Sequence, residues 1–208
     1  MARVAKNRRS KRHMAKREPK LVENPKTAML VRGTTTSAVI KELLCDLFVM
    51  KKPHAVHFSR KNDIKPFEDA TSLEFFASKN DASLFAFGSH NKKRPDNLVL
   101  GRLFDFQILD MCEVGITNFK GLSDFPGVRK PHLGARPCMI FEGDGFEHND
   151  SLSKLRSLLL DFLRGWPAEK VNLQGLDHVI VCTAVGDDVV KLRTYNIKLL
   201  KARTPTQY

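Results

Sequence analysis

The 208-residue chain is poor in the residues that usually declare chemistry. It has four cysteines, one tryptophan and two tyrosines, and its 23 carboxylates are outnumbered by 35 lysines and arginines. The cysteines stand at 45, 112, 138 and 182, each inside an apolar run and none in a CxxC pair. Zinc needs clustered thiolates and imidazoles, so they read as small buried hydrophobes and no metal is expected. No run approaches the ~18 uncharged apolar residues of a membrane span. No apolar stretch follows the basic N-terminus, as a secretory signal requires. A soluble intracellular protein is expected.

Catalytic patterns are missing too. There is no G-x-S-x-G, H-E-x-x-H or kinase signature. His54 and His57 are three apart, which on a strand puts them on opposite faces. His148 stands at a helix start, where Asp150 is better explained as a cap, and Asp177-His178 has no nucleophile beside it. After Gly33 the second glycine and the lysine of a phosphate loop never arrive. Gly143-Asp144-Gly145 has His148 where a third glycine belongs, and Asp144 would repel a pyrophosphate. Neither a catalytic residue nor a cofactor is expected.

What the chain has is positive charge, unevenly spread. Residues 1–26 hold ten cations, Arg8, Arg9, Lys11 and Arg12 among them, against Glu18 and Glu23. That is 10 − 2 = +8 of the total +12, leaving +4 for the other 182 residues. Such a tail buries no apolar surface, so it is expected to be disordered alone, serving nuclear import and RNA contact. The plainer reading is a solubilising arm.

From residue 27 the patterns are those of an α/β domain. Thr27 to Val31 is an apolar strand ending at Gly33, and Thr34-Thr35-Thr36 offer caps for a helix. Val39, Ile40, Leu43, Leu44, Leu47 and Phe48 recur at helical spacing to about Met50, and Pro53 ends the run. His54 to Phe58 reads as a strand, and Asp69 caps a short helix through Leu73 and Ala77. Asn118 to Ala135 is irregular, with room for one helical turn. The opening motif then returns, because Pro137 to Gly143 echoes Thr27 to Gly33 about 110 residues later. A helix capped by Asp150 or Ser151, with Leu152, Leu155, Leu158, Leu159, Phe162 and Leu163 inward, follows and is stopped by Gly165 and Pro167. His178 to Cys182 parallels His54 to Phe58, and a Gly186-Asp187-Asp188 turn leads into a last strand, Val189 to Leu200. Two such halves are each too small to stand alone, so they should share a sheet or pack tightly.

Three basic clusters lie just past element ends in the first half: Lys51-Lys52, Arg60-Lys61 and Lys92-Lys93-Arg94. If those elements share one sheet, the clusters meet on one rim and can take phosphates. Aromatics near these loops are few (Phe58 and Phe67), so backbone contact is the stronger expectation and base stacking the weaker. The plainer reading is a solvated surface.

Gly88 to Ile116, GSHNKKRPDNLVLGRLFDFQILDMCEVGI, is the most distinctive string. It reads as a strand breaking at Gly88, a basic loop, an apolar run, and a half-buried strand Phe104-x-Phe106-x-Ile108. The string, with flanks from about Lys26 to about Leu200, resembles the Brix-domain family of ribosome-assembly proteins. The resemblance implies an α/β fold of two pseudo-repeated halves, each similar to an anticodon-binding domain, with mixed sheet and flanking helices. The charge distribution and the repeated motif divide the chain into a tail at 1–26, a domain at 27–203 and an end at 204–208. Within the domain the repeat sets a first half of about 27–117, a linker of 118–135 and a second half of about 136–203. Family members continue further, so a truncated end and an unpaired edge are expected.

The resemblance also implies a non-enzymatic factor of the large subunit in the nucleus and nucleolus. Its partners would be a regulator of ribosome synthesis protein in a heterodimer, 5S ribosomal RNA with its two ribosomal proteins, and 25S/28S pre-rRNA. The regulator is expected on the last strand, at Val189, Val190, Leu192, Tyr195 and Ile197. The rival is a protein-only scaffold whose cations merely solubilise it.

Overall fold

The computed structural model describes residues 7–18, 21, 25–164, 170, 172 and 175–198. The first half builds a five-stranded mixed sheet. Its strands are β1 (Ala28–Gly33), β2 (Ala55–Asn62), β3 (Leu84–Ser89), β4 (Asn97–Phe104) and β5 (Gln107–Gly115). The order is β2-β1-β3-β4-β5, parallel across β2, β1 and β3 and antiparallel from β3 to β5. Helix α2 (Ala38–Lys51) returns from the top of β1 to the bottom of β2, and α3 (Thr71–Asn80) returns on the opposite face. Ser37, not one of the threonines, caps α2 by accepting the Ile40 amide. Asp69 does accept the Thr71 amide at the start of α3.

The second half is a smaller sheet of β6 (Cys138–Glu142), β7 (His178–Val185) and β8 (Val189–Asn196), in the order β6-β7-β8. A short helix α4 (Gly145–His148) precedes α5 (Asp150–Leu163), and the cap of α5 is Asn149, one residue before Asp150. The two halves keep separate sheets and pack through one core. Ile40 and Leu44 of α2, Leu98 and Leu100 of β4, the inward leucines of α5 and Ile180 and Cys182 of β7 form a single buried cluster. The layers run three-stranded sheet, α5 with α2, five-stranded sheet, α3. A second cluster under α3 unites Met29, Val31, Leu73, Phe85 and Val99.

Several expectations are corrected. The tail is not wholly irregular, since α1 (Arg8–Arg17) is helical, with Asn7 accepting the Ser10 amide at 2.7 Å. Its run holds neither glycine nor proline, and six of its ten residues are lysine or arginine, both good helix formers. Gly88 does not break β3. The strand runs through Ser89, and a Cβ at Gly88 would stand 2.4 Å from the Ile40 side chain. Glycine there lets the first turn of α2 lie against the strand. Phe104-x-Phe106-x-Ile108 is not one strand, because Asp105 and Phe106 turn the chain at φ 49° and 64°. β7 is the counterpart of β3 more than of β2, since it forms a hairpin with the next strand as β3 does with β4. The last strand ends at Asn196; Leu199 and Leu200, like Gly165 and Pro167, lie outside the described residues.

The 118–135 segment contains the one turn expected of it, Leu122–Asp124. It straps α2, with the Leu122 amide donating to Asp46 at 2.9 Å and the Gly134 amide to the Lys52 carbonyl at 3.1 Å. Burial raises the Asp46 carboxyl against that hydrogen bond from Leu122.

Candidate nucleic-acid interface

The basic loop between β3 and β4 is fixed by its neighbours. The His90 amide donates to the Thr35 carbonyl at 2.9 Å, and the Thr35 hydroxyl donates to the His90 carbonyl at 2.8 Å. Ser37, already the cap of α2, donates its hydroxyl to Asp96. His90 Nδ1 stands 3.0 Å from both the amide and Oδ1 of Asp96. The hydrogen bond from Ser37, aided by His90, holds the Asp96 carboxyl below its ordinary range despite partial burial. Inside the loop, Asn91 Oδ1 accepts the Arg94 amide at 2.7 Å. An ordered loop loses little conformational entropy when it binds.

The predicted cations meet different ends. Lys92 and Lys93 are exposed, and neither has an ion-pair partner among the described residues. Arg94 is paired with Glu113 at 3.0 Å, and Glu113 also accepts from Asn97 at 2.6 Å. An exposed pair of this kind contributes little, so Arg94 can exchange its carboxylate for a phosphate. Arg60 and Lys61 are exposed at the top of β2, on the rim where the loop stands. Sequence reasoning missed Arg32, which faces Lys61 across the β1–β2 pairing and Gly88 across the β1–β3 pairing. At the ~4.8 Å spacing of neighbouring strands, Lys61 and Gly88 are about 10 Å apart with Arg32 between them. Its only sequence signal is a lone cation in an apolar strand just before a glycine. Its guanidinium donates to Thr36 at 2.9 Å, and its charge adds to burial in lowering the His57 imidazole.

Lys51-Lys52 does not join this rim. α2 runs back down the sheet, so its C-terminus lies at the opposite end, beside the start of β2. Lys51 is moreover buried, with Nζ 5.7 Å from the Phe162 ring, and burial lowers its ammonium to about 8. Lys52 is exposed and lies over Phe48. Arg8, Arg9, Lys11 and Arg12 are exposed on α1.

The last strand alternates, so its expected partner-binding residues divide between two faces. Val189 and Tyr195 point outward with Ile140 and Val185, all at least 40% exposed. Val190 packs into the shared core, Leu192 lies on that same side at the free edge, and the Ile197 amide donates to the Asp177 carbonyl at 2.8 Å. Among the described residues, no group of three or more His, Cys, Asp or Glu could hold a metal ion. No described helix is long and apolar enough to cross a membrane.

The Brix domain profile matches residues 33–208. The chain is 47% identical over 202 residues to the human ribosome production factor 2 homolog, covering 96% of this chain and 65% of that protein. It is 45% identical to the Schizosaccharomyces pombe homolog (96% and 65% covered) and 44% to the rice homolog (97% and 67%). The chain thus spans about two thirds of the length of these relatives. A crystal structure of a probable ribosomal biogenesis protein from Aeropyrum pernix K1 superposes with a TM-score of 0.54 at 12% identity, covering 82% of this chain and 89% of that one. That likeness concerns the fold.

Proposed function

The chain belongs to the Brix-domain family, and from that premise we propose that it is a non-enzymatic factor of large-subunit ribosome assembly that binds ribosomal RNA through the rim above β1, β2 and β3. One observation carries the reading: the loop of residues 90–96 is pinned to Thr35 and Ser37 while Lys92 and Lys93 stand in water with no ion pair among the described residues. Cations held at fixed places beside Arg32, Arg60 and Lys61 suit a polyanion, and each phosphate reached releases counterions. The relatives named as ribosome production factors point to a ribosomal RNA.

In this reading the chain works in the nucleolus as a heterodimer with a regulator of ribosome synthesis protein. Together they bring 5S ribosomal RNA and its two ribosomal proteins to the 25S/28S pre-rRNA. The half-exposed outer face of the three-stranded sheet, with Ile140, Val185, Val189 and Tyr195, is of a kind that protein partners cover.

The test is a salt titration of RNA affinity for the combined Lys92→Ala, Lys93→Ala and Arg94→Ala variant. Binding should weaken with the melting temperature unchanged. The slope of log affinity against log salt should fall by up to about 0.9 per lost contact on a duplex. An unchanged slope would favour a protein-only scaffold whose cations solubilise it.

A further inference from the structure

Phe67 lies in the connection from β2 to α3, one residue before a side chain that lines a cleft with the basic loop. It lies in a tight turn where the Lys65 carbonyl accepts the Glu68 and Asp69 amides, both at 2.9 Å. Ile64 and Pro66 on either side are buried, so the turn is anchored while Phe67 remains 54% exposed. The next residue, Glu68, lines a shallow open cleft of about 500 Å³ with Asn91, Lys92, Lys93 and Arg94. Glu68 is neutralised by Lys65 at 2.8 Å, which leaves the lysines of the loop to set the sign of the cleft. Of the other rings near these elements, Phe58 is half-buried with its centroid 5.0 Å from that of Phe76, and Phe87 is buried in β3. Among the described residues near the loop, Phe67 therefore offers an exposed ring that is free to stack.

We propose that an unpaired nucleotide binds here, its phosphate in the cleft on Lys92 and Lys93 and its base reaching past Glu68 to stack on Phe67. The inference rests on the RNA reading above and narrows it from a polyanion to single-stranded RNA. A duplex keeps its bases stacked on one another and offers the ring nothing. An extruded or loop base offers a π-face that any aromatic can hold. A bare apolar pocket would suit a protein side chain, but a cleft lined by lysines with an exposed ring one residue from its wall fits a nucleotide better.

The experiment compares binding of a single-stranded oligoadenylate and an RNA hairpin stem by the whole chain and its variants. Phe67→Ala and Phe67→Leu should each weaken the single strand about 5- to 100-fold. They should leave stem binding, salt slope and melting temperature unchanged, and Phe67→Trp should restore affinity. Lys92→Ala with Lys93→Ala should instead lower the salt slope on both probes. If Phe67→Leu binds the single strand as tightly as the parent while the lysine variant shows its loss, the stacking site is overturned and the RNA rim stands. If Phe67→Ala weakens both probes equally, or loses only a protein partner, the assignment to an unpaired base also fails. If the parent binds neither probe in a salt-dependent way, both readings fall together.

Discussion

Lys51 and Lys52 are neighbours in sequence with opposite environments. Lys52 ends α2 in water, whereas Lys51 is packed against Phe162 of α5. Burial costs the ammonium more than the nearby Asp161 returns, so it titrates at about 8, below its ordinary 10.5. Between those values the unfolded chain binds the extra proton, and stability should rise as pH climbs from about 8 toward 10.5. Lys51→Met keeps the stem and removes the charge. It should stabilise the fold at pH 7 by about 1–3 kcal/mol and abolish the alkaline rise, read by urea denaturation at pH 7 and pH 10.

Asp177 is the opposite case. It is largely buried, which raises its carboxyl, but more than offsetting this are the His132 amide at 2.8 Å and the imidazoles of His178 and His132. The result is a value of about 2, below the ordinary 3.8. Arg129 donates to His132 Nε2, which directs the Nδ1 proton of His132 to Asp177 at 2.9 Å. A carboxyl depressed in the folded state contributes stability above its unfolded value, lost as pH falls through about 4 to about 2. Asp177→Asn should cost about 2 kcal/mol at pH 7, and the gap from the parent should close by pH 2 in acid melting curves.

Elements with strong periodicity were legible in the sequence, and turns with unusual chemistry were not. The inward face of α5 agrees with its leucine spacing because nothing competes with a 3.6-residue stripe. The β4–β5 tip was hidden because Asp105-Phe106 stands where a hairpin with both central residues at positive φ favours asparagine and glycine. At the site, the basic loop could be found from charge. Its exclusion of Lys51-Lys52 could not, since the direction of α2 decides which sheet end a residue reaches. α1 went unseen because its propensity is local and no apolar stripe marks it. Its described side chains are mostly exposed, so deleting residues 1–25 should leave the melting temperature within about 1 °C of the parent while weakening RNA binding. Differential scanning fluorimetry and filter binding measure the two effects.

At the scale of the molecule, Arg102 joins the halves. From β4 it donates to Asp110 of β5, and to Ser157 at 2.9 Å and Asp161 at 2.8 Å on α5. The bonds to Asp110 foremost keep its guanidinium protonated beyond the ordinary range despite desolvation. Lys26 adds a second cation to Asp161 at 2.7 Å. Burial raises the Asp161 carboxyl, and these two partners together bring it below its usual range. Arg102→Met leaves two partly buried carboxylates facing one another's elements. A loss of about 2 kcal/mol, or roughly 4–8 °C in melting temperature, is expected. One shared core also requires that both halves melt in a single calorimetric transition. Two resolved transitions in the parent would contradict it.

The shared core also imposes an order on synthesis. The five-stranded sheet has all its strands once Gly115 is made, but the Leu98 and Leu100 face of β4 is covered by α5, which ends at Leu163. The interval is 163 − 115 = 48 residues, about 2–10 seconds of translation at ordinary elongation rates. During that time a nascent first half carries an open greasy wall while its basic rim is already formed, so it presents bare apolar surface on one side and positive charge on another before its second half exists.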